Sequence, residues 1–259
     1  MLNIPTLLCI SIYVLIFLYG VCIGSFCNVL ICRIPRKESF VKVPSHCENC
    51  GYRLQWYDLV PLFSYIFLRG KCRKCKASIS VQHPLVEGLN GLLYVILFAK
   101  YGVSIDAVLL CLMATALIAL SVIDFRTYEI PFGFNVFIFC LGVVRLLFHL
   151  TEWKEYVIGF FAVSFFLYLL YVASKGAAIG GGDVKLMAAT GMLIGWKLNV
   201  FGFIVGCILG SVIHILRMRL SGKDHMLAMG PYLSAGVLLA VLVGDYFLNW
   251  YLGLFQFGM

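Results

Sequence analysis

Two aspartates and four cysteines are the residues of this 259-residue chain whose type and spacing could do chemistry. Asp124 ends the apolar run Leu117 to Ile123, and Asp183 follows Gly180, Gly181 and Gly182 directly before another apolar run. Ionisable groups at the edge of an apolar phase are costly, and they usually face a bundle interior or a water-filled cavity. The chemistry that needs two carboxylates and no other nucleophile is aspartyl hydrolysis: one stays ionised to activate water while the other, protonated, polarises the carbonyl. Like charges held close together resist joint ionisation and share one proton. The three glycines before Asp183 lack Cβ atoms, so the backbone there is free to take unusual dihedrals and an extended peptide can come close. The competing reading of Asp124 is an ordinary interfacial acid neutralised by Arg126, and spacing alone does not choose between the two.

The cysteines read Cys47-Glu-Asn-Cys50, then 21 residues, then Cys72-Arg-Lys-Cys75. Two CxxC pairs so separated have the form of a zinc ribbon, each pair making a tight chelating knuckle. Arg53, Arg69, Arg73 and Lys74 stand close in sequence, where they would lower the thiol pKa values and offset the charge of four thiolates. A loop of about 50 residues has too little core to fold unaided, so bound metal would supply much of its stability. Four unrelated thiols, or two redox pairs, are the alternatives. The other cysteines, Cys9, Cys22, Cys27, Cys32, Cys111, Cys140 and Cys207, are scattered through apolar segments and read as small packing residues.

The elements that must carry these groups are membrane helices. Apolar residues make up 62% of the chain and charged residues 12%, with a mean hydropathy of +0.98 and repeated apolar runs near the length of a bilayer span. That composition excludes a soluble enzyme, a disordered chain and a β-barrel, whose strands would alternate. The expected fold is an all-α polytopic membrane protein of eight spans. They run from about Thr6 to Ile31, Pro84 to Tyr101, Ser104 to Ile123, Phe132 to Leu150, Tyr156 to Ala173, Val184 to Trp196, Leu198 to Leu216 and Leu227 to Trp250. The sixth has only 13 residues and is expected to be tilted, kinked or partly buried. Three parts follow: a first helix over 1–32, a zinc-binding loop over 33–83 and a transmembrane core over 84–259. The first 32 residues carry no charged side chain, so the opening segment lacks the basic region of a signal peptide and is expected to stay as an anchor.

Charge sets the sides. Ten of the 20 Lys and Arg residues lie between Arg33 and His83, Lys42 among them, against Glu38, Glu48 and Asp58. That net +7 makes the loop cytoplasmic. Alternating spans then put Arg126, Lys175, Lys185, Arg217, Arg219 and Lys223 on the same side, with Lys100, Lys154 and Lys197 outside, Arg145 within a span and both termini outside. Asp124 and Asp183 fall at the same cytoplasmic edge, a placement that assumes no reaction. The formal charge of +8 is accounted for by this membrane rule, and no nucleic acid partner is expected.

With these residues in place, the chain resembles the type IV prepilin peptidases. Gly180-Gly-Gly-Asp-Val-Lys185 is an instance of GxGD, and Asp124-Phe-Arg-Thr-Tyr-Glu-Ile-Pro131 is similar to the family's other aspartate motif. The segment from Gly20 to Pro35 resembles its first-helix signature, the CxxC pairs its cytoplasmic zinc domain, and His83-Pro-Leu-Val-Glu87 and Met229-Gly-Pro-Tyr232 its later landmarks. The resemblance implies a multi-pass enzyme of the bacterial inner membrane. Such an enzyme removes the short basic leader from prepilins or pseudopilins at the cytoplasmic face, after a glycine, with Asp124 and Asp183 as the catalytic pair. It also implies a second activity, methylation of the new amino terminus from S-adenosylmethionine, because the cysteine domain is usually retained in bifunctional members. No glycine-rich nucleotide loop follows a strand, so methylation rests on the resemblance alone and no residue is assigned to that cofactor.

Other polar residues have plainer readings. Asn28, Arg33, Glu87 and Asn90 either line a substrate groove or make interhelical hydrogen bonds, the latter being favoured. Arg145 is expected to snorkel and His214 to bond a backbone carbonyl. Lys185 points away from Asp183 on a helix and suits lipid phosphate. Glu129 either meets the basic leader or is a solvated acid. Functions from other classes remain: an ion-coupled transporter binding a proton or cation at Asp124 and Asp183, or a zinc-dependent regulatory scaffold for which both aspartates are dispensable. Oligomeric state and the particular pilin substrates are not encoded in any residue pattern.

Overall fold

The computed structural model of the chain describes residues 4–39, 43–177, 179–221 and 227–256. Lys42, Lys223 and the two terminal residues, whose sides were expected above, lie outside the described residues. The chain forms α1 (Ile4–Arg33), a loop holding a 3-10 turn (Trp56–Asp58) and the short α2 (Phe63–Phe67), then α3 (Gln82–Tyr101), α4 (Ile105–Thr127), α5 (Phe132–Phe148), a 3-10 turn (Leu150–Glu152), α6 (Trp153–Ala162), α7 (Ser164–Ala173), α8 (Gly181–Ile194), α9 (Trp196–Ser221) and α10 (Gly230–Gln256). Extended pairing among the described residues is limited to two isolated bridges, both in the cysteine loop. The chain divides into two compact units, Met1–Ala119 and Leu120–Met259, with the boundary inside α4.

Five stretches among the described residues are long and apolar enough to cross a membrane: Leu7–Arg33, Ile105–Thr127, Leu150–Ala173, Trp196–Leu220 and Gly230–Tyr251. Phe132–Phe148 is a shorter apolar helix. Helices therefore stand at all eight expected positions, but the count of eight spans is not established by length and composition. The two other helices depart for identifiable reasons: α3 opens on Gln82, His83, Glu87 and Asn90, which shortens its apolar part, and α8 has 14 residues.

In the first unit α1 packs along α3. Gly20, Gly24 and Gly91 make the approach possible: a Cβ on Gly20 would stand 2.9 Å from the Gly91 Cα, and one on Gly24 would stand 2.9 Å from the Glu87 Cα. Small residues at a helix contact are how membrane helices gain van der Waals packing. The amide of Asn90, fully buried, donates to the Gly20 carbonyl at 2.7 Å and accepts from the Thr115 hydroxyl at 2.9 Å. Such bonds contribute about 0.6 kcal/mol each in a bilayer. The helix ends follow local chemistry. Pro35 follows α1 where no helical N–H is needed, and Gly102, at φ +66°, closes α3 with its N–H on the Phe98 carbonyl at 2.9 Å.

In the second unit α8 is the centre. Helices α5, α6, α7, α9 and α10 all pack on it, and every residue from Leu186 to Ile194 is buried. This resolves the short sixth segment: it is a protein-covered helix. Its partners come very close, since a Cβ on Gly191 would fall 2.0 Å from the Gly159 carbonyl oxygen of α6. Asn199, fully buried, donates to the Met187 carbonyl at 3.0 Å and accepts from the Thr190 hydroxyl at 3.0 Å, tying α9 to α8. Arg145 differs from expectation. Instead of snorkelling, it donates from Nη1 to the Leu193 carbonyl at 2.8 Å, where the orphaned carbonyls at the α8 C-terminus attract a cation.

Candidate functional site

Asp124 lies in the last turn of α4 and is 4% exposed. Its Oδ2 accepts the backbone N–H of Gly230, the first residue of α10, at 2.9 Å. A helix N-terminus presents unpaired N–H groups and partial positive charge, so it suits a carboxylate. The contact exists because residue 230 is glycine: a Cβ there would sit 2.6 Å from the same oxygen.

Asp183 lies in the first turn of α8 and is half-buried, with its own N–H on the Gly180 carbonyl at 3.1 Å. The structure revises the glycine run. Gly180 is the N-cap, while Gly181 and Gly182 are already helical and none of the three takes a left-handed φ. What they give is room. A Cβ on Gly180 would stand 3.1 Å from the Asp183 Oδ2, and one on Gly182 would stand 3.0 Å from the Ile130 Cβ. Asp124 and Asp183 belong to the same compact unit, and α10, whose first residue holds Asp124, packs on α8, which carries Asp183. Lys185 is exposed and turned onto the Phe132 ring, its Nζ 5.1 Å from the centroid, and Glu129 is exposed.

The sulfurs of Cys47, Cys50, Cys72 and Cys75 all lie within 4.8 Å of one another. The two pairs are built alike. Cys47 and Cys72 each donate their N–H to the residue five positions on, Tyr52 at 2.9 Å and Ala77 at 2.8 Å. Gly51 and Lys76 each return an N–H to the first cysteine of their pair, both at positive φ, +66° and +59°. The bridges His46 to Arg53 and Lys71 to Ser78 close the two knuckles. Tetrahedral sulfurs about 2.3 Å from a zinc ion are roughly 3.8 Å apart, and the Cys47 and Cys75 sulfurs stand at 3.8 Å. The set therefore fits a metal ion such as zinc.

Hydrogen bonds from backbone N–H groups lower two of the four thiols, Cys47 and Cys75, in place of the cationic side chains expected to do so. Those of Cys50 and Asn49 hold Cys47 below the usual thiol range. Cys75 is held down to about 6 by the Ala77 N–H, then by the Asn49 amide. Arg73 is engaged elsewhere. Its Nε donates to the buried Asp58 Oδ1 at 2.7 Å, and its guanidinium lies 4.8 Å from the centre of the Tyr57 ring.

The remaining polar residues serve packing. Asn28 donates to the His83 carbonyl at 3.1 Å, and the buried Arg33 donates to the Val43 carbonyl at 2.7 Å. Glu87 does more: its Oε2 accepts the N–H of Leu62 at 2.8 Å. Leu62 sits at φ +59° and ψ −52°, with the Phe63 N–H on the Pro61 carbonyl, a γ-turn of the strained positive-φ kind. A buried carboxylate thus holds the stretch of the loop between the two cysteine pairs. Neither this role nor that of Gly230 was read from the sequence. The dipeptide Gly230-Pro231, a helix-start pattern, was the available sign for the second.

Residues 18–101 match the family described as the bacterial peptidase A24 N-terminal domain, and residues 111–215 match the type IV leader peptidase family. The chain is 30% identical over 243 residues to the prepilin leader peptidase/N-methyltransferase of Bacillus subtilis (strain 168), covering 92% of this chain and 97% of the relative. It is 31% identical over 258 residues to that of Stutzerimonas stutzeri, covering 87% and 89%. With the prepilin leader peptidase/N-methyltransferase of Myxococcus xanthus (strain DK1622) it shares 32% over 216 residues, which is 81% of this chain but 64% of the relative's length. No solved structure matches significantly.

Proposed function

The chain belongs to the type IV leader peptidase family, and we propose that it cuts the basic leader from type IV prepilins or pseudopilins, after a glycine, using Asp124 and Asp183 as an aspartyl pair. What supports this reading is that two acids remote in sequence stand in one compact unit, each at a helix terminus and each given space by a glycine. A water between the carboxylates is the nucleophile. Asp124, held by the Gly230 N–H as a hydrogen-bond acceptor, takes the proton from that water. Asp183 carries the shared proton and donates it toward the scissile carbonyl oxygen. The proton taken by Asp124 then goes to the leaving amine as the C–N bond breaks, and a hydroxyl of the tetrahedral intermediate returns its proton to Asp183, so the pair regains its starting state.

The tetrad Cys47, Cys50, Cys72 and Cys75 would hold a structural zinc, which would supply the stability that so small a loop lacks. The loop over 33–83 then acts as a small domain between the anchor helix 1–32 and the protease core 84–259. The charge distribution supports a cytoplasmic loop and a cytoplasmic aspartate pair in a bacterial inner membrane, with both termini outside. The same family name supports methylation of the new amino terminus from S-adenosylmethionine after cleavage.

Co-expression with a prepilin and a gel-shift assay tests the pair. Asp124→Asn and Asp183→Asn are each expected to abolish leader removal while expression and zinc content stay normal. Cleavage retained by either variant rejects the mechanism.

A further inference from the structure

Between the two cysteine pairs, residues 56–67 turn large apolar side chains outward. Trp56 is 78% exposed, Ile66 68% and Phe67 82%, and Tyr57, Leu59 and Phe63 are exposed with them. An apolar patch of this kind marks a contact surface. The segment is fixed at two points. Buried Asp58 takes the Arg73 Nε at 2.7 Å, which ties the start of the segment to the second cysteine pair. The Leu62 N–H is held by the Glu87 Oε2 at 2.8 Å, and the Leu62 side chain reaches the surface of α3 at Gly88. Glu87 lies about 7.5 Å along α3 from Gln82, at ~1.5 Å of rise per residue. Gly88 flanks the outward row of α3, where Val81, Leu85, Leu89 and Leu92 are all exposed at helical spacing. Beyond the segment Arg69, Lys71, Lys74 and Lys76 are exposed, and no acid occurs between Asp58 and Glu87.

We propose that residues 56–67 lie in the boundary between the headgroups and acyl chains of an anionic membrane leaflet, so that the cysteine loop rests on the bilayer. The tether at Leu62 sets the depth, because it lies beyond the first turn of α3, level with an apolar row that suits acyl chains. The short α2 is only about 7.5 Å long, so Phe63, Ile66 and Phe67 stay near that level. Tryptophan and tyrosine favour this layer, and apolar faces lying in it sink about 5–10 Å. The basic run that follows then meets lipid phosphates. Charge excludes the other occupants: the basic leader of a prepilin is repelled by that run, and a second copy of the chain brings the same positive charge. The surface does not depend on the aspartyl reading, because it uses neither carboxylate.

Fluorescence quenching of Trp56 in the full chain, held one per nanodisc, tests this. The chain has four tryptophans, and Trp153→Phe, Trp196→Phe and Trp250→Phe together leave Trp56 alone. The difference between the wild type and Trp56→Phe reads the same quantity without those three changes. In nanodiscs containing phosphatidylglycerol, lipid brominated near the headgroup end of its acyl chains should quench Trp56 about twofold, and acrylamide should quench it about threefold less than free tryptophan. Phosphatidylcholine alone should raise acrylamide access about twofold. Ile66→Ser with Phe67→Ser should raise it as much at unchanged metal content. Full acrylamide access in phosphatidylglycerol overturns the proposal, as does equal access in the two lipids. So does shielding from both quenchers, which marks cover by protein. Protection that appears only when prepilin is added marks a substrate surface, and protection only when two chains share a disc marks self-association; either result also overturns it.

Discussion

Gly230→Ala tests the geometry around Asp124 more finely than removal of the acid. The new Cβ would lie 2.6 Å from Oδ2, and real Cβ atoms essentially never come under 3.0 Å, so the oxygen must retreat by at least 0.4 Å; reaching ordinary contact at 3.4 Å takes 0.8 Å. The obstructing atom is the end of a side chain that can turn, and residue 230 is not at a left-handed φ. Alanine is also a better helix former than glycine. Folding should therefore change by about 1 kcal/mol or less. Catalysis should suffer far more. The 2.9 Å hydrogen bond from the Gly230 N–H lengthens as the carboxylate moves, and misplacing a catalytic group by a sizeable fraction of an ångström costs about 10- to 100-fold in rate, or about 1.4 to 2.7 kcal/mol of barrier. Initial rates of prepilin cleavage by purified, reconstituted protein should show the loss in kcat with KM little changed. Gly253→Ala, which meets nothing within 4 Å, is the control. Cleavage by Gly230→Ala within about twofold of wild type, at unchanged Tm, would show that Asp124 does not work from the position held by that N–H.

The metal site and the packing of α8 give further expectations. Cys47→Ser should reduce bound zinc from one per chain and expose the loop between Pro44 and Ser80 to protease, and a strong chelator should do the same to the wild type; a metal-free loop that stays protease-resistant counts against the site. Gly191→Ala puts a Cβ 2.0 Å from a backbone oxygen of α6 that cannot rotate aside, so it should destabilise by about 3 kcal/mol or more and lower both yield and Tm in detergent. A normal Tm would mean that α6 and α8 are not apposed in this way.

The cysteine tetrad, the long apolar helices and the two acids were legible because each writes a local pattern: paired CxxC spacing, runs of bilayer length, and a carboxylate at the edge of an apolar run. The helix positions followed for the same reason. Residues whose role comes from a partner far along the chain left no such mark. Gly230 matters only because Asp124, from another helix, needs its N–H. Glu87 reads as an intramembrane acid, yet its partner is a backbone N–H at Leu62 in a γ-turn. Arg73 looked like a cation for the thiolates, and a buried Asp58 claims it. The glycines before Asp183 were legible as a run, but whether they bend the chain or make space depends on Ile130 and Asp183 itself.

The enclosure of α8 bears on how the protein is made. At 14 residues and ~1.5 Å of rise per residue the helix is roughly 21 Å long, well short of a hydrocarbon layer ~30 Å thick, and its sides are satisfied by neighbours instead of lipid. A segment of that kind has little reason to leave the translocon alone. It should partition only when α9 and α10 have been synthesised, so the nascent enzyme stays inert until its last helices emerge. Chains truncated after Ile194 should leave this stretch accessible to a membrane-impermeant thiol reagent at a cysteine introduced for Ala188, and protection in the truncated chain would show that the helix enters unaided.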